Sequence, residues 1–426
     1  MPPPKAGSSV DFASPDMRPA LSARRFERFT AVRGATESLA ASLSEGDQTI
    51  QSMPDASPTK WHRAHTTWFF ETFLLVPHLK GYRVFDPQFS YLFNSYYEAV
   101  GPRHQRFARG MITRPGVAAV AAYRAHVDAA MLMLLEDPPP EILALVELGL
   151  HHEQQHQELL VTDIKHALSQ NPLDPAYAPP PLADANAEAP KCGWTKVDGG
   201  IYSVGHSGEG FAFDNEGPAH EALLRDYRIA SRPVSVGEYL EFIEDGGYRT
   251  ASLWLSDGWA QVNAEGWQAP SYWRKRDGAW SAYTLNGRLP LKAAEPICHV
   301  SLYEAAAFAL WAGNRLPTEF EWEVAARQAR AKENRVPSVT VHPAPLVEGF
   351  CQDVWEWSGS AYLPYPGFRP AAGAVGEYNG KFMINQMVLR GRSCATPPGH
   401  DRLTYRNFFP AGARWQFSGF RLAQDA

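Results

Sequence analysis

The 426-residue chain predicts an α+β fold in two units, a four-helix bundle followed by an irregular module of short strands and few helices. Three observations carry that expectation. From about residue 21 to residue 170, apolar side chains recur at three- and four-residue steps, the period of an amphipathic helix. Residues 169–190, SQNPLDPAYAPPPLADANAEAP, are rich in Pro and Ala and present no periodic apolar face, which is linker composition. Beyond residue 191 the sequence changes to short extended runs with many Gly and Trp, as in α+β modules. The length also exceeds the ~250–300 residues at which one core stops growing.

Within the first unit the periodicity predicts helices over 21–43, 60–76, 117–136 and 141–168, enough for a bundle. The segment 77–116 between the second and third is long and carries the run YLFNSYYEAVGPRHQRFARG; long structured loops are commonly functional. Convincing helices in the second unit are confined to 236–244 and 302–312. The expected boundaries are a flexible tail over 1–20, the bundle over 21–170, a linker over 171–190 and the second module over 191–426.

Composition narrows the function. Hydrophobic residues make up 45% and charged residues 20% of the chain, and the net charge is −6. No run of Lys or Arg interleaves with aromatics, so a small-molecule role is expected rather than nucleic-acid binding. No uninterrupted apolar stretch reaches the ~20 residues that span a bilayer, and the first twenty residues lack the apolar core of a signal peptide; a soluble protein without a membrane partner is expected. The four cysteines, Cys192, Cys298, Cys351 and Cys394, are far apart with no C-x-x-C pair. That argues against a disulfide scaffold or a thiolate zinc site and fits the cytoplasm.

The chemistry concentrates in EILALVELGLHHEQQHQELLVTDIKHAL. Leu145, Leu148, His152, Gln155, His156 and Leu159 share one helical face. Burying an imidazole or amide without a partner costs roughly 1–3 kcal/mol, so three such groups on a core face call for something to bind. His152 and His156, at i and i+4, place two imidazoles one turn apart, within reach of a single ion. The bare spacing suits a solvated polar face equally well; the apolar surroundings favour a metal. A third ligand comes from KWHRAHTTWFFETFLL, where His65 lies beside Trp68 and Phe69 and is preferred to His62, nearer the helix start. Three neutral imidazoles leave coordination positions open for substrate. Ligand softness does not separate iron from zinc. Glu158 points to another side, as a carboxylate supporting a ligand or the fold, and His62, His151 and His166 read as surface or hydrogen-bonded histidines.

HHEQQHQE together with KWHRAHTTWFFE resembles the DinB-like half of the EgtB family of ergothioneine biosynthesis. The segments FAFDNEGPAHEALLRDYRIASRPVSVGEYLEFI, VSLYEAAAFALWAGNRLPTEFEWEVAAR, DVWEWSGSAY, VLRGRSC, YRNFF and FSGFRLA resemble the C-type-lectin-like module of formylglycine-generating enzymes. Two unrelated modules in this order span nearly the whole chain. The resemblance implies Fe(II) on His65, His152 and His156, joining O2, a thiol and hercynine, the trimethylated betaine of histidine, to give a sulfoxide at imidazole C2. It also implies an active-site role for Tyr96 or Tyr97, a carboxylate clamp of Arg103 and Arg106, and hercynine contacts from Gln155 and Asn407. Phe408, Phe409 and Trp415 are available to a quaternary ammonium.

Two positions depart from the family pattern. Phe409 stands where members using γ-glutamylcysteine carry an acidic residue, which favours free cysteine or a donor without an amine. Arg392 in VLRGRSC replaces a glycine; near the cleft, its guanidinium would suit the selenosugar donor of the related selenoneine synthases. Formylglycine generation is disfavoured, because the segment around Cys394 lacks a second cysteine. Two other readings remain: a zinc-dependent thiol transferase, which oxygen consumption would distinguish, and a non-catalytic metal-stabilised binding module.

Overall fold

The structure, a computed structural model, describes residues 18–179, 189–208, 210–330, 341–373, 376 and 379–426. Residues 1–17 of the expected tail and 180–188 of the expected linker lie outside the described residues. Helix α1 (Arg18–Ala40) begins three residues before the predicted start. Helix α2 (Thr59–Phe70) runs without a break through a π-helical turn, Glu71–Leu75, into α3 (Val76–His78). The 77–116 segment is ordered by α4 (Phe89–Phe93) and by 3-10 turns at Glu98–Val100 and Arg106–Met111. Helices α5 (Val117–Glu136) and α6 (Leu143–Ser169) fall within two residues of their predicted positions.

Helix α2 packs against α5 and α6, and α1 packs against the same two. Phe29, Trp68, Phe70, Leu74, Tyr123, Val127, Met131 and Leu150 form the shared core. Among the described residues α5 alone is long and apolar enough, by mean hydropathy, to cross a bilayer, but Arg124 in its middle is buried and paired within the bundle.

That pairing is a network. Glu153 of α6 is fully buried and accepts from Arg33 Nη1 at 2.8 Å, Arg124 Nη2 at 2.9 Å and Thr36 Oγ1 at 2.6 Å. Burial alone would raise this carboxyl, yet the two guanidiniums and the hydrogen bonds hold it at about 2. One anion thereby ties α1, α5 and α6 together.

The second module is built on four small sheets. β1 (Trp194–Val197), β4 (Tyr227–Ala230) and β12 (Ala423–Asp425) form one sheet, with β4 central, and β2 (Gly200–Val204) pairs with β3 (His220–Leu224). β5 (Trp273–Arg276), β6 (Ala279–Thr284) and β7 (Gly287–Pro290) form a meander. β8 (Trp355–Ala361), β9 (Met387–Gly391), β10 (Asn407–Phe409) and β11 (Ser418–Gly419) make the four-stranded sheet, ordered β10-β9-β8-β11. Helices α7 (Val236–Glu244) and α9 (Leu302–Trp311) appear where expected, each started by a capping box, Ser235 with Glu238 and Ser301 with Glu304. Two helices were not expected, α8 (Ser256–Glu265) and α10 (Glu319–Arg330). The start of α10 is legible in hindsight: Thr318 Oγ1 accepts from Glu321 N and Glu321 Oε2 from Thr318 N. Helix α8 is hidden by Gly258, whose missing side chain makes room for the Tyr303 ring.

Helix α6 also serves the second module. Glu158 accepts from Trp355 Nε1 at 2.7 Å, Ser393 Oγ at 2.5 Å and Thr396 Oγ1 at 2.8 Å, and His151 Nδ1 lies 3.0 Å from His400 Nδ1. The described part of the expected linker is anchored rather than loose: Asp174 takes both arms of Arg288 at 2.9 Å, and Tyr177 N and Ala178 N donate to Leu285 O.

Replacing one member of a buried ion network leaves its partners charged and uncompensated, at a cost of about 3–5 kcal/mol. Glu153→Gln should lose stability of that order in denaturant unfolding. A loss below about 1 kcal/mol, within the range of ordinary surface changes, would show that the network is dispensable.

Candidate metal centre

The sequence KWHRAH places His62 and His65 three residues apart on α2, where every residue is buried. His65 is stacked between Trp61 and Trp68, with ring centroids at 4.6 and 5.5 Å. Its Nδ1 lies 2.6 Å from Phe93 O; a carbonyl only accepts, so Nδ1 carries the proton and Nε2 keeps its lone pair. Facing it from α6 are His152 and His156, with ring centroids 5.0 and 4.7 Å away. One nitrogen from each of His65, His152 and His156 lies within 4.8 Å of the others.

His156 is oriented by a chain of bonds. Its Nδ1 is 2.9 Å from His62 Nδ1, and His62 Nε2 is 3.0 Å from Asp163 Oδ2. The carboxylate accepts, so His62 donates from Nε2; with His62 Nδ1 accepting, His156 donates from Nδ1 and leaves Nε2 as a metal-facing lone pair. A carboxylate–histidine arrangement of this kind fixes the tautomer of a ligand and raises its basicity. His152 Nδ1 is buried with no hydrogen-bond partner. Burial pulls His65 and His156 well below the ordinary imidazole value and His152 to about 4. All three are neutral at physiological pH, as metal ligation requires. The donor set, its orienting bonds and the orphaned nitrogen fit a divalent transition metal with open positions.

The triad opens on a cavity of about 220 Å³ lined by Tyr96, Arg106, Arg109, Gln155, Asn407, Phe408, Phe409 and Trp415, among others. Most of the expected site residues thus meet in one place, drawn from α6, the 77–116 segment, β10 and the turn before β11. Arg106 Nη1 donates to Tyr96 Oη at 3.0 Å, Phe408 stacks on Tyr362 at 4.1 Å, and Phe409 and Trp415 meet edge to face at 5.7 Å.

Three expectations need correction or refinement. Arg392 lies neither in the cavity nor on the surface; it is buried, donating from Nε to Cys351 O at 2.8 Å with Asp353 at 3.6 Å. Arg103 does not line the cavity: Glu98 holds it at 2.9 Å and its guanidinium lies over the Tyr96 ring. Tyr97 is buried against Trp68 and Phe73 and faces a separate cavity of about 470 Å³, which reaches the centre through His152 and Gln155.

Three residues escaped the sequence. Asp163 follows His156 by seven positions, two helical turns on the same face. His62, set aside in favour of His65, is buried and joins the two. Arg109, three residues beyond Arg106, stacks 3.4 Å over Trp61 and donates from Nη1 to Ser57 Oγ, while its Nε and Nη2 are buried without partners. The repeat of Arg at 103, 106 and 109 was the available signal.

Fold and centre together define a class: a mononuclear three-histidine metal site on a helical bundle, completed by a sheet-containing module. Residues 181–345 match the Sulfatase-modifying factor enzyme 1-like domain family. Hercynine oxygenase of Mycolicibacterium smegmatis is 32% identical over 88% of this chain and 92% of its own length, and hercynine oxygenase of Mycobacterium tuberculosis is 32% identical over 90% and 94%. The formylglycine-generating enzyme of Streptomyces coelicolor is 34% identical over 58% of this chain and 96% of its own. The chain belongs to the hercynine oxygenase family and is an oxidoreductase-type, metal-dependent enzyme.

Asp163→Asn, by removing the anion behind His62, should weaken metal affinity by about 10–100-fold in a chelator competition; unchanged affinity would exclude the relay. The pH dependence of stability has a definite sign. Folded His152 protonates only near pH 4, against 6.5 for an ordinary imidazole, so the unfolded chain takes up protons that the folded chain refuses. Stability is full above about pH 6.5 and falls as pH drops toward 4, by roughly 1.4 kcal/mol per pH unit for each such imidazole. Metal-free melts should show this fall; Glu153, held at about 2 against an ordinary 4.5, adds its own loss as pH drops below about 4.5.

Proposed function

We propose that the chain forms a carbon–chalcogen bond at imidazole C2 of hercynine, using Fe(II), O2 and a small thiol such as cysteine. The observation that carries the reading is the neutral three-histidine centre opening on a cavity whose lining matches the parts of both substrates. The overall change balances as thiol plus imidazole C–H plus O2 giving sulfoxide plus water: the sulfur–hydrogen and carbon–hydrogen bonds break, and the carbon–sulfur and sulfur–oxygen bonds form. Bound on His65, His152 and His156, Fe(II) would supply open positions for the donor and O2 and the electrons that activate O2.

The chain's own residues bind and orient. Gln155 and Asn407 offer amide hydrogen bonds to the betaine. Phe408, Phe409 and Trp415 present aromatic faces to its trimethylammonium group. Arg106 and Arg109 carry positive charge opposite, suited to the carboxylate of an amino-acid donor; Arg103 supports the Tyr96 ring from outside. Phe409 supplies no anion for a donor amine, in keeping with cysteine rather than a dipeptide. Tyr96 on the triad cavity and Tyr97 on its neighbour are the phenols available to deliver a proton.

One observation favours a second reading, a selenosugar donor. A cavity of about 710 Å³ adjoins the triad cavity through Trp415 and is lined by Trp267, Trp273 and Trp280 with Arg274, Lys275 and Arg414. Flat aromatic faces among hydrogen-bonding groups suit a polyhydroxylated ring.

The test is an anaerobically Fe(II)-loaded incubation with hercynine and O2, cysteine and a selenosugar competing, with adducts identified by mass. A cysteinyl sulfoxide is expected and should disappear in His152→Ala. A selenium adduct would establish the second reading. Neither adduct, with no O2 consumed, would overturn both.

A further inference from the structure

Lys165 is a buried cation that neither the metal centre nor the cavity uses. It lies on α6, nine residues beyond His156, and only about 1% of it is exposed. Its Nζ is 2.6 Å from His299 Nε2, and His299 Nδ1 is 2.8 Å from Gln416 O. The Gln416 carbonyl only accepts, so His299 donates from Nδ1 and its Nε2 accepts from the lysine. The ammonium sits 5.0 Å from the centroids of both the Tyr272 and Phe417 rings, and Tyr272 Oη donates to Trp415 O at 3.3 Å. His299, Tyr272 and Phe417 therefore each belong to, or are bonded to, the segment 415–417.

That segment carries Trp415 to the wall shared by the triad cavity and the large cleft. It has further anchors, Trp355 N donating to Phe417 O at 2.9 Å and Gln416 Nε2 to Ala413 O at 3.1 Å, but Trp415 itself is in no strand and β11 begins only at Ser418. His299 and Tyr272, the two residues through which the lysine acts, both have left-handed backbones, with φ of 64° and 71°. Such a conformation persists where surrounding contacts determine it. Burial disfavours the lysine charge and draws its pKa down to about 8; Cys298, Cys394 and Glu295 are the other titratable groups that act on it.

We infer that Lys165 is a positioning residue for the betaine substrate: through His299 and the Tyr272 and Phe417 rings it couples the histidine-bearing helix to the Trp415 segment and sets where that indole stands. Resting on the proposed function for its substrate, the inference deepens it by naming what holds the aromatic wall. The same contact makes Trp415 a partition between the two cavities whose position follows α6.

Lys165→Met keeps the length of the side chain and removes the donor and charge. Hydrogen–deuterium exchange on the metal-free protein should then quicken in peptides spanning 411–418 and stay unchanged in those spanning 152–156. Metal stoichiometry should be unaltered. Calorimetric Kd for hercynine on metal-free protein, and KM for hercynine in turnover, should rise about tenfold with kcat within about twofold, the pattern of lost substrate binding rather than lost chemistry. His299→Asn, in which Asn tolerates the left-handed backbone, should reproduce the exchange and KM changes and serves where the lysine variant does not fold. Unchanged exchange and unchanged Kd in a folded variant overturn the inference. Wild-type protein that does not bind hercynine overturns the proposed function instead, and the exchange measurement still decides whether Lys165 holds the segment.

Discussion

Burial of neutral imidazoles between α2 and α6 is the constraint to which the rest of the molecule answers. An imidazole taken from water without partners costs roughly 1–3 kcal/mol, and here three lie within 4.8 Å of one another. The protein offsets part of that cost by tying the far side of the rings down: Phe93 O holds His65, and Asp163 holds His156 through His62. What remains uncompensated points at a common centre, and a divalent ion is the group that would complete it. Because the same burial keeps all three rings neutral, the site is prepared for metal before metal arrives.

Helix α6 carries this arrangement because its polar side chains turn to different sides. Glu153 turns into the bundle to Arg33 and Arg124, His152 and His156 turn to the cavity, and His151, Glu158 and Lys165 turn to the second module. The helix belongs to both units at once, which explains how β10 and the turn before β11 deliver Asn407, Phe408 and Trp415 to a centre built elsewhere. The metal site is therefore built within the bundle, and the cavity in front of it is lined by both units.

Charge in the cavity is distributed unequally. Arg106 and Arg109 come from the 77–116 segment, Gln155 from α6, and Asn407, Phe408, Phe409 and Trp415 from the second module. An anionic donor would accordingly be drawn toward the arginines and a cationic betaine toward the aromatic groups. Arg109 makes the asymmetry strongest, since two of its buried nitrogens have no hydrogen-bond partner among the described residues.

By itself the sequence determined the α+β class, the bundle helices to within a few residues, and the three histidines, because helical period and spacing are local properties. His65 could be preferred to His62 from its apolar neighbours. It also supplied the resemblance that named Gln155 and Asn407. Only the tertiary structure decided what depends on packing between distant segments. It took Arg392 away from the cleft to Cys351 and Asp353, separated Tyr96 from Tyr97 into different cavities, moved Arg103 outside the wall, and made His62 and Asp163 a relay. Helix α8 stayed hidden because Gly258 reads as a breaker until Tyr303 is packed against it. In each case the deciding quantity was which groups packing brought together, from Arg103 and Glu98 five residues apart to His62 and Asp163 a hundred and one apart.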